Sequence, residues 1–144
     1  DRYMPVGKRV VIIGGGLVGA ELAEFLMERD RKVTVLEEGD KLALEMAHPR
    51  RWRVLGDLRD HGVALVTGAR DIEIEADSVT WSTDEGDAGA AADTVVIAQL
   101  VDGDLGVAEA FTEAGFEPIV IGDAGGVGYL EGAIHAGWHT AAAF

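Results

Sequence analysis

The chain has 144 residues, no cysteine and a formal charge of −14. Without cysteine it holds no disulfide, thiolate metal site, iron–sulfur ligation or redox-active dithiol, so any redox chemistry must come from a bound cofactor. All twelve lysines and arginines fall between Arg2 and Arg70, and a field of one sign repels phosphate backbones and anionic membranes, which argues against a nucleic-acid or membrane partner.

The length is that of one domain, enough to bury roughly 70% of the unfolded surface. No apolar run approaches the ~20 residues that cross a bilayer, and the N-terminus shows no charged-then-apolar export signal. A soluble, cytoplasmic chain is the expectation.

Residues 8–13 form an apolar run rich in β-branched side chains, the pattern of a strand buried on both faces of a parallel sheet. A glycine cluster ends it. Leu17, Val18, Leu22, Phe25, Leu26 and Met27 then return at helical spacing, while Glu21, Glu24, Glu28 and Arg29 favour another face, so an amphipathic helix is expected. Residues 33–36 read as a second strand and complete a β-α-β unit. His48-Pro49 marks a break, after which residues 50–60 suit a helix with Trp52, Leu55 and Leu58 on one side, terminated by Gly62.

Residues 63–67, 71–75 and 78–82 read as successive short strands, and the alternation of Ile72 and Ile74 points to a small antiparallel element with one wet face. Residues 83–92, rich in Gly, Asp and Ala, read as a solvated turn. Beyond them come a buried strand at 94–98, a short helix at 105–114, a final strand at 118–121 and a helix at 129–144. Strands alternating with helices define an α/β, Rossmann-like doubly wound parallel sheet with a small antiparallel β element. Right-handed crossovers place any ligand at the carboxyl edge of its strands.

The feature richest in chemistry is Gly14-Gly15-Gly16-Leu17-Val18-Gly19, a G-x-G-x-x-G run between an expected strand and an expected helix. In such a run the first glycine makes a tight turn, the second lets the backbone approach a pyrophosphate, and the third packs helix closely on strand. The helix N-terminus then offers N–H groups and a positive dipole end to the diphosphate. An acid at the end of the second strand completes the pattern by accepting hydrogen bonds from an adenosine ribose, and Glu37 stands there. Glu38 follows it with no arginine in the next two positions, so a 2′-phosphate would meet negative charge and NAD(H) is favoured over NADP(H). The rival reading is a plain glycine turn beside a surface glutamate. The run alone does not separate NAD from FAD, since both carry an ADP half.

Residues 7–21, Gly-Lys-Arg-Val-Val-Ile-Ile-Gly-Gly-Gly-Leu-Val-Gly-Ala-Glu, resemble the start of the inner NAD-binding domain of the pyridine nucleotide-disulfide oxidoreductase superfamily. The resemblance implies that Glu21 lies near the nicotinamide; an exposed helix acid is the alternative. Ile121-Gly122-Asp123-Ala124, followed by Leu130-Glu131-Gly132-Ala133-Ile134-His135-Ala136-Gly137, resembles the second FAD-binding motif of that superfamily. It implies that Asp123, beside Gly122, bonds the flavin ribityl chain and that the following helix directs its dipole at the flavin. A capped helix after an ordinary Gly-Asp turn is the other reading.

The wording of residues 130–141 is most similar to the old-yellow-enzyme-related NADH:flavin oxidoreductases, the group of 2,4-dienoyl-CoA reductase, enoate reductase and trimethylamine or histamine dehydrogenase. That resemblance implies an NAD(H)-binding domain at 1–118 and the returning segment of a split FAD domain at 119–144. It also implies partners in the missing FAD and barrel domains of a parent chain, which would carry FAD and, in the barrel region, FMN and an iron–sulfur cluster. The implied role is to position NADH for hydride transfer to FAD, the isolated chain being inactive.

One departure bears on this. The strand at 94–98 ends in Ala98-Gln99-Leu100-Val101, where the family usually has a glycine. Ala98 and Gln99 remain candidate cofactor contacts, yet the missing glycine keeps open a non-redox domain holding ADP, as the amine dehydrogenase branch implies, and an FAD module proper is a third reading. His135 and His139 share a helix face but lack a third ligand, so packing is expected rather than metal binding. Trp52, Trp81 and Trp138 read as core or interdomain packing. No catalytic side chain is assigned and the oligomeric state is left open.

Overall fold

The computed structural model describes residues 5–99 and 102–144. The chain divides into two compact units, Asp1–Gln99 and Leu100–Phe144. In the first, β1 (Arg9–Ile13), α1 (Leu17–Met27), β2 (Lys32–Leu36), α2 (His48–Asp60) and β3 (Ala64–Val66) alternate. They are followed by β4 (Arg70–Ile74), β5 (Ser78–Thr83), β6 (Gly86–Ala91) and β7 (Thr94–Ile97). A four-stranded parallel sheet runs β3-β2-β1-β7, and β4-β5-β6 form a three-stranded antiparallel sheet. This is the expected α/β, Rossmann-like arrangement. The chain leaves β1 toward β2 and β3 and returns on the opposite side as β7, so the carboxyl end of β1 is the switch point at which open α/β sheets bind ligands.

Strand side chains alternate between faces, and β1 is buried on both. Val10 and Ile12 join Val33 and Val35 of β2 in packing with Ala20, Ala23 and Leu26 of α1 and Val54, Leu55 and Leu58 of α2. Val11, Ile13 and Leu36 belong to a second cluster with Val79 and Trp81 of β5 and Ala92. Helices therefore cover one face of the parallel sheet and the antiparallel sheet covers the other. Each fully buried Val, Ile or Leu contributes roughly 1.5–3 kcal/mol, which makes these paired clusters the main support of the unit.

Several local expectations are corrected by tertiary context. The face of α1 that is buried consists of Gly19, Ala20, Ala23 and Leu26; Val18 and Phe25 are exposed, and the Arg29 guanidinium lies over the Phe25 ring at 3.6 Å. Small residues face the sheet because the helix approaches it closely. Pro49 does not break α2 but sits in its first turn, where a missing N–H costs nothing. That helix buries Val54, Leu55 and Leu58 and leaves Trp52 exposed beside His48; of the tryptophans expected to pack, Trp81 is in the core and Trp138 is exposed.

Residues 86–91, expected within a turn, form β6, because β5 supplies a hairpin partner in continuous register from Thr83 opposite Gly86 to Ser78 opposite Ala91. Expected to be buried, β7 is an edge strand only half covered, with Ile97 exposed.

The second unit contains α3 (Gly106–Glu113), a 3₁₀ turn at Gly122–Gly125 and α4 (Tyr129–Ala142). Residues 118–121, expected as a strand, form none: Ile119, Val120 and Ile121 are exposed, and no other strand exists among the described residues of this unit to share backbone hydrogen bonds. None of its described residues is buried. On α4, Leu130, Ile134 and Trp138 are spaced four apart and are 82%, 67% and 65% exposed, an apolar stripe without a core of its own.

The start of the parallel sheet is tied by Asp93. Its Oδ2 accepts the Lys8 and Arg9 N–H groups at 3.1 and 2.9 Å, and its Oδ1 accepts Arg9 Nε–H at 3.0 Å. The Arg9 guanidinium first, then the Arg9 and Lys8 N–H groups, hold this carboxyl down at about 2 from its ordinary 3.8. With the folded value the lower one, the tie stabilises fully above the unfolded value and its contribution is lost as pH falls through about 2. Asp93→Asn is therefore expected to lower the unfolding temperature at neutral pH and to converge with the parent chain near the acid end of that window. Thermal unfolding across the acid range checks this, and a pH-independent difference would refute it.

Candidate dinucleotide-binding site

Three chain segments meet at the carboxyl edge of β1, β2 and β7. After β1, Gly14 turns the chain at φ +107°, and its N–H donates to the Leu36 carbonyl at 2.8 Å. A Cβ on Gly14 would lie 2.7 Å from the Ala98 carbonyl and 2.8 Å from the Gln99 nitrogen, one on Gly15 would lie 2.3 Å from Leu42 Cδ2, and one on Gly19 would lie 1.9 Å from the Gly14 oxygen. The chain's own packing thus forbids side chains at these positions. Gly16 differs, because a Cβ there would meet only the end of the Glu45 side chain, at 3.1 Å. Its openness is not demanded by the fold.

Glu37 follows β2 directly. Its Oε2 accepts the Gly15 N–H at 2.7 Å and its Oε1 accepts the Gly39 N–H at 2.8 Å. Each carboxylate oxygen has a second lone pair, so Glu37 can brace the turn and still accept ribose hydroxyls. Glu38 is exposed beside it. The structure therefore gathers Gly14, Gly15, Gly16, Leu17, Gly19, Glu37, Ala98 and Gln99 around one turn, with Val18 exposed on the first turn of α1. Leu100 and Val101, part of the departure from the family pattern, lie outside the described residues.

The other candidates have partners of their own. Glu21 lies 3.7 Å from Arg50 Nη2, which also donates to Glu24 at 2.9 Å, so it takes part in an α1–α2 ion-pair group. In the second unit, Gly122 opens the 3₁₀ turn at φ +66° and Asp123 Oδ1 accepts the Gly128 N–H at 3.2 Å, just before α4. The His139 ring packs on Trp138 with centroids 4.9 Å apart. No group of His, Asp, Glu or Cys among the described residues is placed to hold a metal ion, and no helix among them is long and apolar enough to cross a membrane.

Sequence reasoning missed Glu45. Its Oε2 accepts the Leu17 N–H at 3.1 Å, at the N-terminus of α1. An acid in an irregular loop carries no spacing signal, and only the folded path of residues 39–47 brings it there.

The model of the pyridine nucleotide-disulphide oxidoreductase family matches residues 2–114. The chain belongs to that family. Its similar relatives include a bilirubin reductase of Mediterraneibacter gnavus, 36% identical over 83% of this chain and 19% of the relative. They also include an NADH oxidase of Thermoanaerobacter brockii, 30% identical over 93% of this chain and 21% of the relative. Among solved structures, a 2-naphthoyl-CoA reductase in complex with 2-naphthoyl-CoA superposes with a TM-score of 0.82 at 32% identity, covering 95% of this chain and 21% of that one. The chain thus spans about a fifth of the length of these proteins. As a member of this family it belongs among proteins that use a nicotinamide nucleotide and FAD, and the homologues are oxidoreductases.

Proposed function

We propose that the chain is the NAD(H)-binding part of a larger flavin-dependent oxidoreductase, its glycine turn seating the diphosphate and Glu37 the adenosine ribose. The observation that carries the reading is the Glu37 carboxylate on the Gly15 N–H at 2.7 Å, which couples the ribose-accepting acid to the diphosphate turn. The residues present fit such a ligand: Gly16 leaves an approach that a side chain would fill, although the fold itself does not require it to be glycine. Bound NADH supplies a hydride, for which the parent's FAD is the acceptor. This chain's residues hold and orient the nucleotide, with Glu37 and Glu38 disfavouring a 2′-phosphate.

The finer assignment, to NADH:flavin oxidoreductases of the 2,4-dienoyl-CoA reductase and amine dehydrogenase group, draws support from residues 130–141 and from the likeness to a 2-naphthoyl-CoA reductase. Residues 119–144 as the returning piece of an FAD domain, with Asp123 toward the flavin, fit a unit that has no buried residue among those described. FMN and an iron–sulfur cluster elsewhere in a parent chain rest on the resemblance alone.

Calorimetric titration with NADH, NADPH and ADP tests the reading. NADH is expected to bind more tightly than ADP, and Gly16→Val to abolish binding while leaving the unfolding temperature nearly unchanged, since a Cβ there meets only the end of the Glu45 side chain and no backbone atom. Equal affinity for ADP and NADH would favour the non-redox nucleotide domain. Undiminished NADH binding by Gly16→Val would refute the seat itself.

A further inference from the structure

Nothing in the glycine fingerprint calls for Glu45, an exposed acid in the loop between β2 and α2. Its backbone is nonetheless firmly placed. Leu42, Ala43 and Met46 are buried around it, the Ala43 N–H donates to the Gly15 carbonyl at 2.7 Å, and Arg51 Nε–H donates to the Leu42 carbonyl at 2.7 Å. This anchored loop delivers the Glu45 carboxylate to the start of α1. There Oε2 accepts the Leu17 N–H at 3.1 Å. Oε1 and Oε2 also stand 3.1 and 3.5 Å from where a Cβ of Gly16 would be. The space that Gly16 keeps clear of its own side chain is thus held by a carboxylate.

We propose that Glu45 is a built-in anion that closes the diphosphate seat of the nucleotide-free chain and must swing out for a dinucleotide to bind. The proposal rests on the reading that this turn seats NAD(H). A carboxylate and a phosphate compete for the same N–H groups and the same positive end of the helix dipole. Tethering gives the internal anion a high effective concentration, so it competes without any free ligand. A carboxylate remaining beside the seat would in addition repel the incoming diphosphate. Displacement is open to it because the side chain is exposed and held at its tip by the Leu17 N–H, while the loop beneath stays packed.

The test is calorimetric titration of the full chain with NADH, comparing the parent sequence with Glu45→Gln and with Asp40→Asn. Asp40 is an acid of the same loop whose side chain is 86% exposed and lies 3.9 Å from Lys41, and its neutralisation makes the same change in net charge without removing the contact that Glu45 makes with the Leu17 N–H. Glu45→Gln is expected to bind NADH about tenfold more tightly, the scale of one charge-assisted hydrogen bond, with Asp40→Asn changing affinity by less than about twofold. An affinity of Glu45→Gln no greater than that of Asp40→Asn overturns the proposal and leaves the seat standing. NADH binding by none of the three overturns both, because without a nucleotide seat Glu45 is only a helix cap.

Discussion

Gly19→Val is expected to lower the unfolding temperature of the first unit by at least about 10 °C, the largest stability effect of any single substitution considered. Gly19 is buried on the face of α1 that meets the sheet, and its missing Cβ would lie 1.9 Å from the Gly14 oxygen and 3.0 Å from the Gly14 carbonyl carbon. Both obstacles are backbone, so no rotamer change relieves the clash. Either α1 lifts off the sheet, pulling Ala20 and Ala23 away from Ile12 and opening the principal core, or the Gly14 turn unwinds and gives up its hydrogen bond to Leu36. Overpacking of this kind costs about 3 kcal/mol or more, a large share of the roughly 5–15 kcal/mol that holds a domain folded. Gly56→Ala is the matched control: it lies in α2 with nothing within 4 Å of its absent Cβ. It is expected to stabilise by about 0.5–1 kcal/mol, because glycine is a poor helix former. Thermal unfolding followed by circular dichroism reads both, and a Gly19→Val chain as stable as the parent would show that α1 does not depend on this close approach.

The contrast between those glycines explains what is legible in the sequence. A strand, a glycine turn, a helix and a second strand ending in an acid impose constraints over a short stretch of chain, so the β1–α1–β2 half of the parallel sheet and the glycines and Glu37 of the site can be read from residues 8–37. Elements that depend on a distant partner cannot. The run Gly-Asp-Ala-Gly-Ala-Ala has little strand character and becomes β6 because β5 pairs with it, whereas Pro-Ile-Val-Ile has strong strand character and stays unpaired among the described residues. Trp52 follows helical periodicity as well as Leu55 does, yet only the direction of approach of the sheet decides which of them is buried. Glu45 is the functional counterpart of the same limit. Its position depends on Leu42 and Met46 entering the core and on Ala43 bonding Gly15, contacts that no local pattern announces.

Replacing Glu37 with alanine is expected to weaken NADH binding by about ten- to a hundredfold, the range spanned by one or two hydrogen bonds to a charged acceptor. A drop in affinity alone would be ambiguous. The carboxylate also braces Gly15 and Gly39 through their N–H groups, and leaving those donors without a partner loosens the turn. Loosening acts on the diphosphate seat, however, and NADH and NADPH share that seat. A purely structural role therefore weakens both nucleotides by the same factor and leaves their ratio where it was. A ribose-accepting role predicts a different result, since NADH loses the acceptor for its 2′-hydroxyl while NADPH loses a negative charge that opposed its 2′-phosphate. The preference for NADH over NADPH should then shrink by at least about tenfold, with Glu38 still present to keep it from reversing. Parallel titrations of the parent chain and of Glu37→Ala with both nucleotides measure that ratio directly. An unchanged ratio would assign Glu37 to bracing alone and move nucleotide discrimination elsewhere in the chain.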